Sequence, residues 1–250
     1  MTGVVGCRHS SQFIKELLKM LHPTLRSATV ISLISCVAGL RAETASEQLK
    51  SATIVLDEIL SAPDKGIPQD LLDKAYCVVV VPGVKKVAFG IGGKYGRGFI
   101  SCRDLAHHTG WGAPGAVRME GGSLGFQIGA SETDVVMLVM NESGMRRLLQ
   151  SKFTLGAKAG VAAGPVGRTA SAETDARLTA GILSWSRSRG VFAGLSVGGA
   201  TLRNDLDQNQ QLYGKRLSNQ EIVRDKEARH PAAASEFLLM LNKYSPRQIS

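Results

Sequence analysis

Glycine recurs at four-residue spacing inside three segments of the chain: Gly121, Gly125 and Gly129, then Gly156, Gly160 and Gly164, then Gly190, Gly194 and Gly198. Between them run Leu124, Phe126 and Ile128, then Ala157, Ala159, Val161 and Ala163, then Val191, Ala193, Leu195 and Val197. Alternate residues of a strand share a face. Each segment therefore has one apolar face and one face cleared by glycine at every second position. A seam of small residues between membrane helices is the competing reading. Lys158, Gln127 and Ser196 interrupt segments that are anyway too short to span a bilayer, which removes it. Glycine inside a strand weakens it and marks bends or close backbone approach. The repeat predicts strands that curl tightly, as in a small barrel or a strongly bent antiparallel sheet.

The stretch VAFGIGGKYGRGF (87–99) tests the alternative that glycine here cradles phosphate. A Walker loop needs Gly, four residues, then Gly-Lys-Ser/Thr. Lys94 follows Gly93, but position 88 is Ala and position 95 is Tyr. The dinucleotide pattern fails at Tyr95, and GRGFISCRD is not the helix that would aim its N-terminus at a pyrophosphate. Val87, Phe89 and Ile91 instead alternate with Ala88, Gly90 and Gly92, a strand followed by a turn and a return strand. The glycines are architectural.

Helices are expected at both ends of this sheet. Thr44 and Glu47 form a capping box before a stripe of Leu49, Ala52, Leu56, Ile59 and Leu60. APDKGIP breaks that helix, and PQDLLDKA starts a short second one behind Pro68. YCVVVVP (76–82) and DVVMLVMN (134–141) read as buried strands, with a short helix in ESGMRRLLQS. Ser218 and Glu221 make a second capping box, and PAAASEFLLML (231–241) carries an apolar stripe behind Pro231. The fold class is α+β: a glycine-rich curved antiparallel sheet or small barrel flanked by N- and C-terminal helices.

Residues 1–42 stand apart. Arg26 precedes the apolar run SATVISLISCVAGL, and small residues follow at Cys36, Ala38, Gly39 and Ala42. That is the layout of a cleaved export signal, with Met20 as an alternative start. LISC (33–36) also fits a lipobox, which would place a lipid on Cys36. The expected product is residues 43–250 as a single domain, exported to the periplasm, the envelope or the medium of a bacterium. Setting residues 1–42 aside leaves 25 Lys and Arg against 20 Asp and Glu. This excess is compatible with an anionic surface and names no partner. Cys77 and Cys102 then remain, as a candidate disulfide or as two buried thiols.

The candidate metal sites are incomplete. His107 and His108 are adjacent near Asp104, but neighbouring side chains point apart and no third ligand has useful spacing. DLDQNQ (205–210) opens like a calcium loop, yet Gln210 replaces the turn glycine and Arg216 stands where the bidentate acid belongs. No H-E-x-x-H or paired C-x-x-C occurs. Neither an enzyme nor a cofactor is expected. Lys85, Lys86, Lys94 and Arg97 cluster around the first hairpin, with Arg146, Arg147 and Lys152 as a second group. Charge runs are usually solvated faces; the sharper alternative is an anionic surface site. Few aromatics lie among these cations, which disfavours nucleic acid.

CVVVVPGVKKVAFGIGGKYGRGFISCR, GWGAPGAVRMEGGSLGFQIGASETDVVMLVMN, KFTLGAKAGVAAGPVGR and SRSRGVFAGLSVGGATL resemble, in this order, the SYLF domain family. The resemblance covers residues 44–245 or so. It implies binding of membrane lipids and, as in the eukaryotic members, of phosphoinositides and actin filaments; it carries over no catalytic residue. The reading is non-enzymatic binding of anionic membrane lipid through Lys85, Lys86, Lys94 and Arg97. The alternative is an envelope protein-interaction or scaffold module, actin-binding-like by the same resemblance.

Overall fold

The computed structural model describes residues 43–62, 66–103, 110–156, 160–165, 181–188, 191–194, 199–224 and 229–246. The readings placed on residues 1–42, on Cys36 and on His107 and His108 lie outside them. Helix α1 (Ala45–Ser61) starts where local chemistry directs it. Thr44 Oγ1 accepts the Glu47 N–H at 3.3 Å, and the Glu47 carboxylate takes the Thr44 N–H at 2.8 Å. Leu49, Ala52, Leu56 and Ile59 form its buried stripe. Helix α2 (Gln69–Lys74) follows Pro68.

Two long strands make the frame. β1 (Cys77–Cys102) and β2 (Gly115–Val139) are antiparallel, in register from Cys77 opposite Val139 to Ile100 opposite Gly115. The ladder shifts at two places, between Val81 and Val84 and between Phe89 and Ile91. Pro82 and Gly83 cause the first: proline has no N–H to give the ladder, and Gly83 turns the chain at φ +56°. The turn and return strand expected after Gly92 take a different form, because pairing with β2 continues through that stretch. The return is made by bending the ribbon.

The bend brings the ends of β1 together. Arg103 N–H donates to the Tyr76 carbonyl at 2.8 Å, and Tyr76 N–H donates to Val139 at 2.8 Å. Cys77 and Cys102 are joined by a disulfide, with Cα atoms 3.9 Å apart. Glycine permits the approach. A Cβ on Gly98 would lie 2.0 Å from the Val80 carbonyl oxygen, and one on Gly96 would lie 2.9 Å from methyls of Val81 and Val84.

The other strands extend both flanks of β2. β5 (Ile182–Ser188) pairs with Asp134–Val139, and β7 (Thr201–Asn204) pairs with Val117–Glu120. β3 (Lys152–Thr154) lies on β7, while β4 (Val161–Ala163) and β6 (Val191–Gly194) lie on β5. The result is a strongly curled half-barrel, of seven strands among the described residues. It is antiparallel except for β4 on β5. Gly160, at φ +64°, is a turn into β4, so residues 156–164 are not one continuous strand.

Both faces of the frame are covered. Val78, Val80, Phe99, Ala116, Val136, Leu138 and Trp185 pack under α1, α2 and the last helix, α6 (Ser235–Tyr244). Cys77, Val79, Val81, Ile100, Met119 and Met137 fill the other face, against Leu148 of α3 (Glu142–Leu148) and Leu149. Two-sided burial explains why nothing polar interrupts CVVVV. α4 (Leu206–Tyr213) and α5 (Asn219–Val223) hold the start of β2 through two buried asparagines. Asn209 Oδ1 accepts the Ala116 N–H at 2.7 Å, and Asn219 Nδ2 donates to the Ala116 carbonyl at 2.9 Å. The DLDQNQ segment therefore serves a helix start: Asp205 caps α4, accepting the Gln208 N–H at 3.2 Å.

Candidate ligand-binding surface

The bend in β1 determines where its cations lie. Because Gly96 packs on Val84, with a Cβ only 3.2 Å from the Val84 Cα, Lys85–Lys86 and Lys94–Tyr95 flank one close contact. Lys85 is exposed opposite Glu132; Lys86 and Lys94 are half-buried, opposite Ser131 and Gly121. Val87 is 59% exposed and Tyr95 45%, so apolar surface accompanies the three lysines. The structure thus gathers Lys85, Lys86 and Lys94 at one bend.

Arg97 has different surroundings. Its Nε lies 3.2 Å from Oδ2 of Asp205, a carboxylate with no exposure, and donates to the Tyr95 hydroxyl at 2.9 Å. Gln48 of α1 donates to the Arg97 carbonyl at 3.1 Å. Arg97 compensates a buried charge at the junction of α1, β1 and α4. The sequence offers no local signal of this, since Asp205 stands 108 positions away.

Of the second basic group, Arg146 pairs with Glu142 along α3 at 3.5 Å and Arg147 is exposed. Lys152 is on β3, where it faces Arg203 across the ladder. Arg203 and Arg118, neither singled out by sequence reasoning, both reach Glu120, at 3.1 and 2.6 Å. Their shared acid follows from strand register, which the sequence alone does not reveal.

Other polar clusters bind the fold together. Arg103 stacks 4.4 Å over Trp111, donates to the Ala75 carbonyl at 3.0 Å and reaches Ser245, whose hydroxyl donates to Asp73 at 2.5 Å. Burial lowers the Arg103 pKa, with Asp73 acting against it. Arg187 bridges Asp134 at 2.7 Å and Glu58 of α1, while Asp134 also accepts the Gly83 N–H at 2.9 Å. Burial pushes the Tyr213 phenol up, and its hydroxyl donates to the Pro114 carbonyl at 2.5 Å. Among the described residues no group of three or more His, Cys, Asp or Glu could hold a metal ion, and no helix is long and apolar enough to cross a membrane.

Residues 120–244 match the sequence model of the Ysc84 family, described as "Las17-binding protein actin regulator". Protein YSC84 of Saccharomyces cerevisiae is 30% identical over 206 residues, 81% of this chain and 43% of its own length. The SH3 domain-containing YSC84-like protein 1 of Xenopus laevis is 29% identical over 207 residues, 81% of this chain and 61% of its own. The SH3 domain-containing protein PJ696.02 of Schizosaccharomyces pombe is 34% identical over 179 residues, 70% of this chain and 41% of its own. The chain thus spans less than two thirds of these relatives. The match across half of the chain, with Protein YSC84 30% identical over 81% of it, shows that the chain belongs to the Ysc84 (SYLF) family.

Proposed function

We propose that this domain is a non-enzymatic protein-docking module whose partner is of the kind its relatives' names describe, Las17 or another regulator of actin. The family match carries this reading. The geometry supports it: Arg103 and Arg187 are engaged in tying helices to the sheet, whereas Lys85, Val87 and Tyr95 are exposed at the bend of β1. Basic groups beside an exposed aromatic make a surface suited to an acidic protein partner. The test is co-sedimentation of the full chain with actin filaments, alongside capture on immobilised Las17. Saturable retention on either, weakened in Lys85→Glu/Lys94→Glu, is the expected result. No retention on both overturns the reading.

A second reading, binding of an anionic lipid surface, draws on the same bend. Lysines near a negatively charged leaflet contribute about 1 kcal/mol each, and Val87 and Tyr95 add exposed apolar area beside them. The chain also reads as exported, with residues 1–42 removed: the apolar run behind Arg26 has a leader's layout, and a disulfide persists in an oxidising compartment. Intact-mass measurement on protein from the native host decides this. A product beginning near residue 43 supports export, a heavier product beginning at Cys36 supports the lipid-anchored variant, and a full-length cytoplasmic product overturns both.

A further inference from the structure

Strand register lines up four cations that are scattered in sequence. Arg97 of β1 is opposite Arg118 of β2, Arg118 is opposite Arg203 of β7, and Arg203 is opposite Lys152 of β3. Residues directly opposite share a face of the sheet. Their chain neighbours Gly96, Gly98, Val117, Met119, Leu202 and Phe153 are buried on the other face. The next row on the cationic face is Tyr95, Glu120, Thr201 and Thr154, with the two threonine hydroxyls 3.2 Å apart. Two carboxylates serve the row: Asp205 holds Arg97, and Glu120 is shared by Arg118 and Arg203.

Like charges directly opposite one another destabilise a sheet. Four in succession, with Lys152 and Arg203 outside any one-to-one pairing among the described residues, form a surface organised for an anion. The guanidiniums are set back rather than projecting: the arginine side chains are between 31% and 40% exposed. A bilayer is a plane and engages the side chains that project, as Lys85 does. A chain laid across the strands reaches a recessed row.

We infer that the row Arg97–Arg118–Arg203–Lys152 is a docking track for an extended acidic segment of a partner protein. The dimensions agree. Neighbouring strands are about 4.8 Å apart, so the row is about 14 Å long. Same-side residues of an extended peptide repeat at about 6.8 Å, so acids at alternate positions place three carboxylates over about 14 Å. Guanidinium forks match carboxylates in a bidentate way that lysine cannot. Thr154, Thr201 and Tyr95 offer hydroxyls along one side. This track deepens the protein-docking reading and rests on it, because it names the chemistry of the partner.

The test is fluorescence anisotropy of the full chain with a labelled dodecapeptide alternating Glu and Ser. The comparison peptide has the same composition with its glutamates in one block. The alternating peptide should bind roughly tenfold tighter than the block peptide at low salt, with affinity falling steeply as salt rises. Arg118→Gln and Lys152→Gln should each weaken it several-fold, whereas Lys243→Gln, an exposed cation of α6 away from the row, should leave it unchanged. Arg118→Lys keeps the charge and loses the fork, so partial recovery over Arg118→Gln is expected. Lys152 is exposed, which keeps the test open if an arginine variant fails to fold. Absence of peptide binding overturns the track, as does equal binding of both peptides or equal loss from Lys243→Gln. Phosphatidylserine vesicle binding that disappears in Arg118→Gln and Lys152→Gln, without peptide binding, reassigns the row to lipid. Retention on actin or Las17 with no peptide binding leaves the docking reading standing and removes only the track.

Discussion

Arg97 Nε sits 3.2 Å from Oδ2 of Asp205, and the Asp205 side chain is wholly buried. A buried carboxylate that loses its cationic partner is left uncompensated, which costs about 3 kcal/mol. Arg97→Gln should therefore lower the denaturant midpoint by a large fraction of the protein's stability. Lys86→Gln should stay within about 0.5 kcal/mol of wild type. Matching midpoints for Arg97→Gln and wild type would remove the buried pair from the account of the fold. The pair also changes how any charge-removal experiment on β1 must be designed, since a change that includes Arg97 confounds binding with folding.

Gly98 and Gly164 are close-approach positions of different kinds. A Cβ on Gly98 would meet backbone, 2.0 Å from the Val80 oxygen and 2.7 Å from the Val81 Cα, and neither can swing away. A Cβ on Gly164 would lie 2.1 Å from the indole of Trp185, which is fixed by its Nε1–H donating to the Pro165 carbonyl at 2.8 Å. Gly98→Ala and Gly164→Ala should each destabilise by about 3 kcal/mol, the upper end for overpacking. Gly93, with nothing within 4 Å of its Cβ position, is the control and should tolerate alanine. Urea midpoints that fail to separate Gly98→Ala from Gly93→Ala would contradict the bent-ribbon geometry.

The disulfide joins residues 25 apart in sequence, at the point where the ends of β1 meet. Constraining a loop of that size in the unfolded chain contributes about 3 kcal/mol. Reduction, or Cys102→Ala with Cys77→Ala, should lower the midpoint by about that amount without abolishing the fold, because Tyr76 and Arg103 remain hydrogen-bonded backbone to backbone. Unchanged stability after verified reduction would show that the ladder alone closes the bend.

What local chemistry dictates was legible in the sequence. Thr44 with Glu47 and Ser218 with Glu221 are capping boxes in the structure because each needs only four consecutive residues. The valine run of β1 was legible because burial on both faces leaves no polar position. The repeated glycines announced curling, and among them Gly164 makes a close approach, whereas the approaches at the bend of β1 are made by Gly96 and Gly98; the surroundings of Gly125 and Gly194 lie outside the described residues. The bend, the Arg97–Asp205 pair and the cation row were not legible, for one reason. They depend on register, and a one-residue slip sends every side chain to the opposite face. Here the register is set by the shifts at Pro82–Gly83 and at Phe89–Ile91, whose direction no periodicity encodes.

Ser218 supplies a pH-dependent prediction. Its hydroxyl and its N–H each lie 2.6 Å from Glu221 Oε2, and these bonds, the hydroxyl first, lower the Glu221 pKa. A depressed carboxylate contributes stability that is present above its unfolded value of about 4.3 and fades as pH falls through the folded one. Ser218→Ala should cost about 1 kcal/mol near neutrality. The difference between the two proteins should shrink in urea titrations at about pH 3. A difference that stays constant, or grows in acid, would show that the capping box does not act through the Glu221 carboxylate.

The bend of β1 yields the last prediction, which separates its lysines from the recessed row. Lys85, Lys86 and Lys94 flank the Gly96–Val84 contact, and no ion pair ties them to a buried carboxylate among the described residues. Changing all three to glutamine keeps side-chain length and removes only charge, so the melting temperature should hold. If the bend meets an anionic leaflet, three charges within a Debye length of about 8 Å should act together. Sedimentation of the full chain with phosphatidylserine vesicles should then fall by two orders of magnitude or so in the triple variant, given about 1 kcal/mol per lysine. Wild-type sedimentation should also weaken as salt rises. Vesicle binding that ignores both salt and the substitutions would assign the contact to apolar surface, with Val87→Ser as the variant that then abolishes it. Wild-type protein that leaves phosphatidylserine vesicles in the supernatant but pellets with actin filaments would make the bend a protein contact and exclude the lipid reading.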